Sequence, residues 1–89
     1  MSLAREVALI TGASSGIGRA TAKVLAAAGY QAFGTSRSPA EDRDGVEMLE
    51  LDVRADASVA RCVADVFARA GHIDVLVNNA GVWHVGVAE

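Results

Sequence analysis

The 89 residues include one cysteine, one proline and no excess of positive charge. Cys62 has no second thiol to pair with, which excludes an internal disulfide, and no Cys/His cluster has zinc-ligand spacing. A reducing, cytoplasmic address is therefore expected. The lone proline, Pro39, sits in a short polar loop, and no internal repeat, low-complexity tract or linker divides the chain. Eleven acidic and eight basic residues leave a net charge of −3, with the cations scattered along the sequence. No basic patch forms, which argues against a nucleic-acid or anionic-membrane surface. The apolar run after Met1-Ser2-Leu3-Ala4-Arg5-Glu6 is too short for a signal peptide and far too short to span a bilayer, so a soluble protein without a membrane partner is expected.

What is present is apolar material in short, regular segments. Hydrophobic residues make up 52% of the chain, enough for one modest core, and 89 residues hold one small domain at most, here taken as residues 1–89. Residues 7–10 (Val-Ala-Leu-Ile) are continuously apolar, as in a strand buried on both faces of a parallel sheet. From Ile17, apolar or small residues recur at Ala20, Val24, Leu25 and Ala28, the offsets of one helix face, and Gly29 supplies a stop. Residues 30–35 resume an extended pattern ending at Ser36-Arg37. A polar connection over 38–45 is shorter than a helical crossover and is expected to be irregular or a single turn, with the charge run Glu41-Asp42-Arg43-Asp44 in solvent.

Residues 46–53 suit an edge strand, since Glu47 and Glu50 interrupt the apolar residues. A second amphipathic helix is expected over about 57–70, with Val59, Cys62, Val63, Val66, Phe67 and Ala70 on its inner face and Gly71 closing it. Residues 73–78 form a further buried strand. The order β-α-β-β-α-β with right-handed connections predicts a partial doubly wound parallel sheet of order 3-2-1-4, one helix on each face.

Between the first strand and first helix lies Thr11-Gly12-Ala13-Ser14-Ser15-Gly16-Ile17-Gly18. Three glycines let the backbone turn sharply and approach a ligand, and the helix N-terminus adds unpaired N–H donors and partial positive charge, which favours an anion such as a pyrophosphate. The spacing G-x-x-x-G-x-G departs from both G-x-G-x-x-G and the P-loop, which disfavours ATP hydrolysis. A glycine-rich turn without a ligand stays open as the plainer alternative.

This turn, together with Leu51-Asp52-Val53 and Asn78-Asn79-Ala80-Gly81 in the same order, resembles the short-chain dehydrogenase/reductase family over residues 6–86. The resemblance implies a Rossmann-like dinucleotide-binding fold and hydride exchange between a nicotinamide cofactor and a small alcohol or carbonyl substrate. It implies that Gly12, Ser14, Ser15, Gly16, Ile17 and Gly18 line the pyrophosphate turn, with Ile17 contributing its backbone. Asp52 would accept a hydrogen bond from the adenine amino group and Val53 would offer its N–H to the ring. Asn79, Ala80 and Gly81 would pack beside the adenosine ribose and the central strands, although an Asn-Asn-Ala-Gly turn can be purely structural.

Cofactor choice has a physical signature. A free ribose 2′-OH is usually held by an acidic side chain at the end of the second strand, about 20 residues past the glycines. Ser36-Arg37 stands there instead, and a guanidinium suits a 2′-phosphate, through a charge-assisted hydrogen bond that contributes about 1.5 to 3 kcal/mol. NADP(H) is expected over NAD(H), with Glu41 or Asp42 as possible competitors for Arg37 and a solvated loop arginine as the alternative.

The remaining conspicuous residues read plainly: Cys62 as a small core residue, His72 as exposed after the helix stop, and Trp83 and His84, near the cofactor end, as packing or surface residues, with a substrate wall as the alternative. The family's catalytic serine and Tyr-x-x-x-Lys pair have no counterpart, since the only tyrosine, Tyr30, is followed by Gln31-Ala32-Phe33-Gly34. The sequence is therefore expected to be the N-terminal, cofactor-binding half of an oxidoreductase, inactive alone. An open apolar edge at the last strand would invite self-association. A non-catalytic NADP-binding module completed by a partner chain, and an interaction fragment that binds no nucleotide, are the competing readings.

Overall fold

The computed structural model describes residues 5–38 and 40–79. In chain order the elements are β1 (Val7–Ile10), α1 (Gly16–Ala27), β2 (Gln31–Ser36), β3 (Val46–Glu50), α2 (Asp56–Ala70) and β4 (Val75–Val77). The strands form one sheet in the order β3-β2-β1-β4, every neighbouring pair parallel. This is the order that the sequence pattern predicts. Ile10 lies level with Gly34 of β2 and with Val77 of β4, so β1 and β4 end together, β2 runs two residues further to Ser36, and their following turns share one edge.

Alternation along the strands divides the core in two, because successive side chains point to opposite faces. Val7, Leu9, Phe33 and Leu49 face α2 and pack with Cys62 and Val66. Ala8, Ile10, Ala32 and Val46 face the other way, toward Ala13 and Ala22 at α1. Phe33 is fully buried, which stabilises the α2 side by about 1.5–3 kcal/mol. The α1 side is built from smaller residues. A Cβ added to Gly34 would lie 2.7 Å from the Ala13 Cβ and 2.9 Å from the Met48 sulfur, so the turn that leads into α1 packs on the sheet there with no room for a side chain.

That close approach corrects the expected inner face of α1. Gly18 and Ala22 are buried and Leu25 and Ala26 pack on the core, whereas Ile17 is 76% and Val24 66% exposed. Gly18 sits against the Gly12 carbonyl and the Asn79 side chain. Only small residues fit that seam, so the large apolar residues are turned outward. In α2, Val59, Cys62, Val66 and Ala70 face inward as expected, while Phe67 is 49% exposed, one step round the helix. β3 ends at Glu50, so Leu51-Asp52-Val53 lies beyond the strand.

The polar connection contains a tight turn. Arg43 and Val46 exchange backbone hydrogen bonds of 3.1 and 2.9 Å, and Asp44 and Gly45 between them have φ of 57° and 79°. Two successive left-handed residues with the sequence Asp-Gly are the signature of a type I′ turn.

Candidate functional site at the carboxyl edge of the sheet

Each strand delivers polar residues to the same edge. Thr11, fully buried, follows β1 and donates its N–H to the Val77 carbonyl at 3.0 Å. Its Oγ1 lies 3.2 Å from Asn78 Oδ1 and accepts the Asn79 N–H at 2.8 Å. Thr35, at the end of β2, is buried as well; its Oγ1 accepts the Gly12 N–H at 3.2 Å and its carbonyl the Ala13 N–H at 2.8 Å. Two buried threonines therefore clamp the glycine turn to the strands on either side of β1. Thr11 opens the glycine motif in the sequence, but neither threonine stands out there as a clamp, because that role depends on the register between strands.

The clamped turn enters α1 through glycines. Gly12 and Gly16 have φ of 65° and 62°, a region that L side chains rarely adopt. Ser15 is the N-cap, in extended conformation, and its side chain makes no capping bond. No acidic residue stands in the first turn. Backbone N–H donors and partial positive charge at this helix end are therefore left to solvent or to an anion.

Beside the turn is a cleft of about 560 Å³. Gly12 and Ser14 form one side, Ser36, Arg37 and Ser38 the second, and Asp52, Val53 and Arg54 the third. Arg37 is exposed and makes no ion pair among the described residues. Asp42 does not turn back to it, because its Oδ1 accepts the Met48 N–H at 2.7 Å. Asp52 is engaged with Arg54, whose backbone N–H and Nε–H reach Oδ1 at 3.0 and 3.1 Å and whose Nη2–H reaches Oδ2 at 3.3 Å. Those hydrogen bonds from Arg54 hold the Asp52 carboxyl below the usual carboxylate range. The Asp52 N–H is donated to Ser58 Oγ at 2.9 Å.

The expected site residues are thus distributed in three ways. Gly12, Ser14, Arg37, Asp52 and Val53 line the cleft. Ser15, Gly16, Ile17 and Gly18 form the start of α1, and Asn79 backs the turn through Thr11 and Gly18. Ala80, Gly81, Trp83 and His84 lie outside the described residues. Arg54 and Ser58 carry no role in the sequence reading; a Ser six residues beyond an Asp, at a helix start, is the one signal that could have found the latter.

A smaller cavity of about 110 Å³ lies between α1 and the 40–46 segment. Arg19 and Arg43 line it with Glu41 and Asp44, so its charges balance. His72 is not simply solvated, since its Nε2 lies 2.9 Å from Asp74 Oδ2. Cys62 is buried, and that burial, with Asp65 nearby, raises the pKa of its thiol and leaves it a poor nucleophile. Among the described residues no group of three or more His, Cys, Asp or Glu could hold a metal ion, and no helix is long and apolar enough to cross a membrane.

A family model described as short chain dehydrogenase matches residues 6–89. The chain belongs to the short-chain dehydrogenase family. 3-Ketodihydrosphingosine reductase of Bacteroides thetaiotaomicron is 44% identical to it over 84 residues, which cover 94% of this chain and 31% of that protein. 3-Oxoacyl-(acyl-carrier-protein) reductase of Escherichia coli (strain K12) is 40% identical over 89 residues, covering 92% and 36%. Among solved structures, an actinorhodin polyketide ketoreductase variant with NADPH matches with a TM-score of 0.80 at 38% identity, covering 86% of this short-chain dehydrogenase chain and 33% of the other. Ligand-free aldohexose dehydrogenase of Thermoplasma acidophilum matches with a TM-score of 0.80 at 35% identity, covering 88% and 30%. The chain spans about a third of the length of the curated relatives it matches.

Proposed function

We propose that this chain is the cofactor-binding part of an oxidoreductase that uses NADP(H) to exchange hydride with an alcohol or carbonyl compound. The observation that carries the cofactor choice is at the end of β2. Where a carboxylate would hold a ribose 2′-OH, the chain places Ser36, Arg37 and Ser38 at the cleft, and the Arg37 guanidinium makes no ion pair among the described residues. An anion with several oxygens suits a fork of N–H donors.

The residues present fit the group. The acid-free start of α1, from Ser14 to Gly18, would hold the pyrophosphate through backbone N–H groups. Gly16 has open space around its α-carbon, so backbone can approach a phosphate closely. Arg37 would take the 2′-phosphate, Asp52 the adenine amino group and Val53, through its N–H, the ring. The bound nicotinamide supplies or accepts the hydride. This chain's own part is to orient the dinucleotide along the sheet edge and to fix the turn through Thr11 and Thr35. Proton transfer to or from the substrate needs an acid/base that the motifs of this sequence do not contain, and the 89 residues alone are accordingly inactive. A cytoplasmic address is part of the same proposal, since Cys62 has no second thiol in these 89 residues with which to form a disulfide.

The test is Arg37→Ala, with NADP+ and NAD+ titrated calorimetrically against both forms. The NADP+/NAD+ affinity ratio is expected to fall about tenfold, the lower end for a charge-assisted hydrogen bond because Arg37 is exposed. An unchanged ratio would remove Arg37 as the selector and NADP(H) as the assigned cofactor.

A further inference from the structure

The carboxylate assigned to the adenine is already partly occupied, and how it is occupied has a chemical consequence. A carboxylate offers about four lone-pair positions, two on each oxygen. Oδ1 of Asp52 takes two donors, the Arg54 N–H and Nε–H at 3.0 and 3.1 Å, while Oδ2 takes one, Nη2–H at 3.3 Å. One acceptor position therefore stays open, and it is on Oδ2. From the other side, the Asp52 backbone is tied to Ser58 Oγ at 2.9 Å. Both Asp52 and Arg54 line the cleft.

We propose that Arg54 is a positioning residue for base selection: its fork onto Asp52 presents a single acceptor, Oδ2, that admits a purine carrying an amino group at the facing position and rejects one carrying a carbonyl there. The proposal rests on the dinucleotide reading above and deepens it. An unrestrained aspartate turns freely about its last torsion, so that its oxygens meet a base edge at a range of angles. The two-point fork fixes the carboxylate plane and confines the open acceptor position to Oδ2, and the carboxylate, ionised at neutral pH, only accepts. A carbonyl set against Oδ2 has no proton to share. The neighbouring Val53 N–H, which has no hydrogen-bond partner among the described residues, adds a donor beside this acceptor. A donor next to an acceptor matches the edge of adenine, with its amino group and unprotonated ring nitrogen. Hypoxanthine shows the reverse pattern at the same two positions.

The experiment compares NADP+ with its hypoxanthine counterpart, nicotinamide hypoxanthine dinucleotide phosphate, by calorimetric titration of the 89-residue chain and of Arg54→Ala, Arg54→Lys and Asp52→Asn. Circular dichroism checks that each variant is folded. The unsubstituted chain should prefer the adenine form. Arg54→Ala should cut that preference roughly two- to fivefold, a modest effect because the pair is partly exposed to water. Arg54→Lys, which restores charge without the fork, should recover only part of it, and Asp52→Asn should abolish it because an amide can turn to donate. A folded Arg54→Ala that keeps the full preference, or weakens both dinucleotides equally, overturns the inference and leaves the NADP(H) reading standing. A folded, unsubstituted chain that binds neither dinucleotide overturns both.

Discussion

The turn from β1 into α1 and the turn from β3 into α2 leave the same edge of one sheet, yet their polar groups are arranged in opposite ways. At α2 the demands of the turn are met internally. Ser58 accepts the Asp52 N–H, Asp52 forks with Arg54, and Asp56 in the first turn faces the positive end of the helix. The far end is complemented too, by Arg69 in the last turn and by Gly71 in a left-handed cap whose N–H reaches the Phe67 carbonyl at 2.8 Å. α1 has no acid in its first turn and no base in its last, whereas a side-chain hydrogen bond at the N-cap is lacking in both helices. A helix normally gains about 0.3–1 kcal/mol from each such charge. Forgoing them at α1 while keeping them at α2 leaves one helix end available to a ligand anion and makes the other a structural joint.

The largest way to break this contrast is Gly18→Ala. The added Cβ would collide with the Gly12 carbonyl, which is backbone held by the turn, and stand 2.6 Å from the Asn79 amide. Destabilisation of about 1–3 kcal/mol is expected, seen as a Tm lowered by about 4 °C or more in thermal melts. A Tm within 1 °C or so of the parent would contradict the packed seam.

Ser58→Ala tests the other joint. It strands the Asp52 N–H and should cost about 0.5–1.5 kcal/mol in urea unfolding, with the adenine end of the cleft loosened and the pyrophosphate turn unaffected. Equal loss of affinity for a pyrophosphate-only ligand would show that the two turns are not independent.

A charge placed in the α1 turn separates stability from binding. Ile17 is exposed, so Ile17→Glu should leave the fold intact or stabilise it by about 0.3–1 kcal/mol through the helix end, while dinucleotide affinity falls severalfold. Parallel gain or loss of both quantities would argue against an anion site at this helix.

The smallest effect concerns pH. Asp52 titrates below its ordinary range because Arg54 donates to it, so its contribution to stability is complete above the ordinary carboxylate value. It declines as pH falls below about 4, through the lowered folded-state value. Unfolding curves of Asp52→Asn and the parent should therefore converge between neutral and acid pH; curves that stay parallel would deny the fork a role.

Much of this was legible in the sequence for specific reasons. A four-residue strand with no polar position has to be buried on both faces, and Gly29 and Gly71 mark helix ends whatever the tertiary context, so the order of elements and of strands followed. The inner face of α1 did not, because hydropathy ranks Ile17 and Val24 above Gly18 and Ala22, and only the close approach of helix to turn reverses that ranking. Arg37 was visible as a cation where an acid is customary. That Asp42 would bond to the Met48 N–H and not to Arg37 depended on the geometry of the Asp44-Gly45 turn. Thr11 and Thr35 are ordinary residues in sequence and acquire their role only through the parallel register of β2, β1 and β4.

The most direct test of the account is a calorimetric titration of the 89-residue chain with NADP+ and, separately, with NAD+, after its aggregation state has been measured. Saturable binding with a clear preference for NADP+ is predicted. Absence of binding by a folded chain, or a preference for NAD+, would contradict the assignment of the α1 turn and Arg37 as one dinucleotide site.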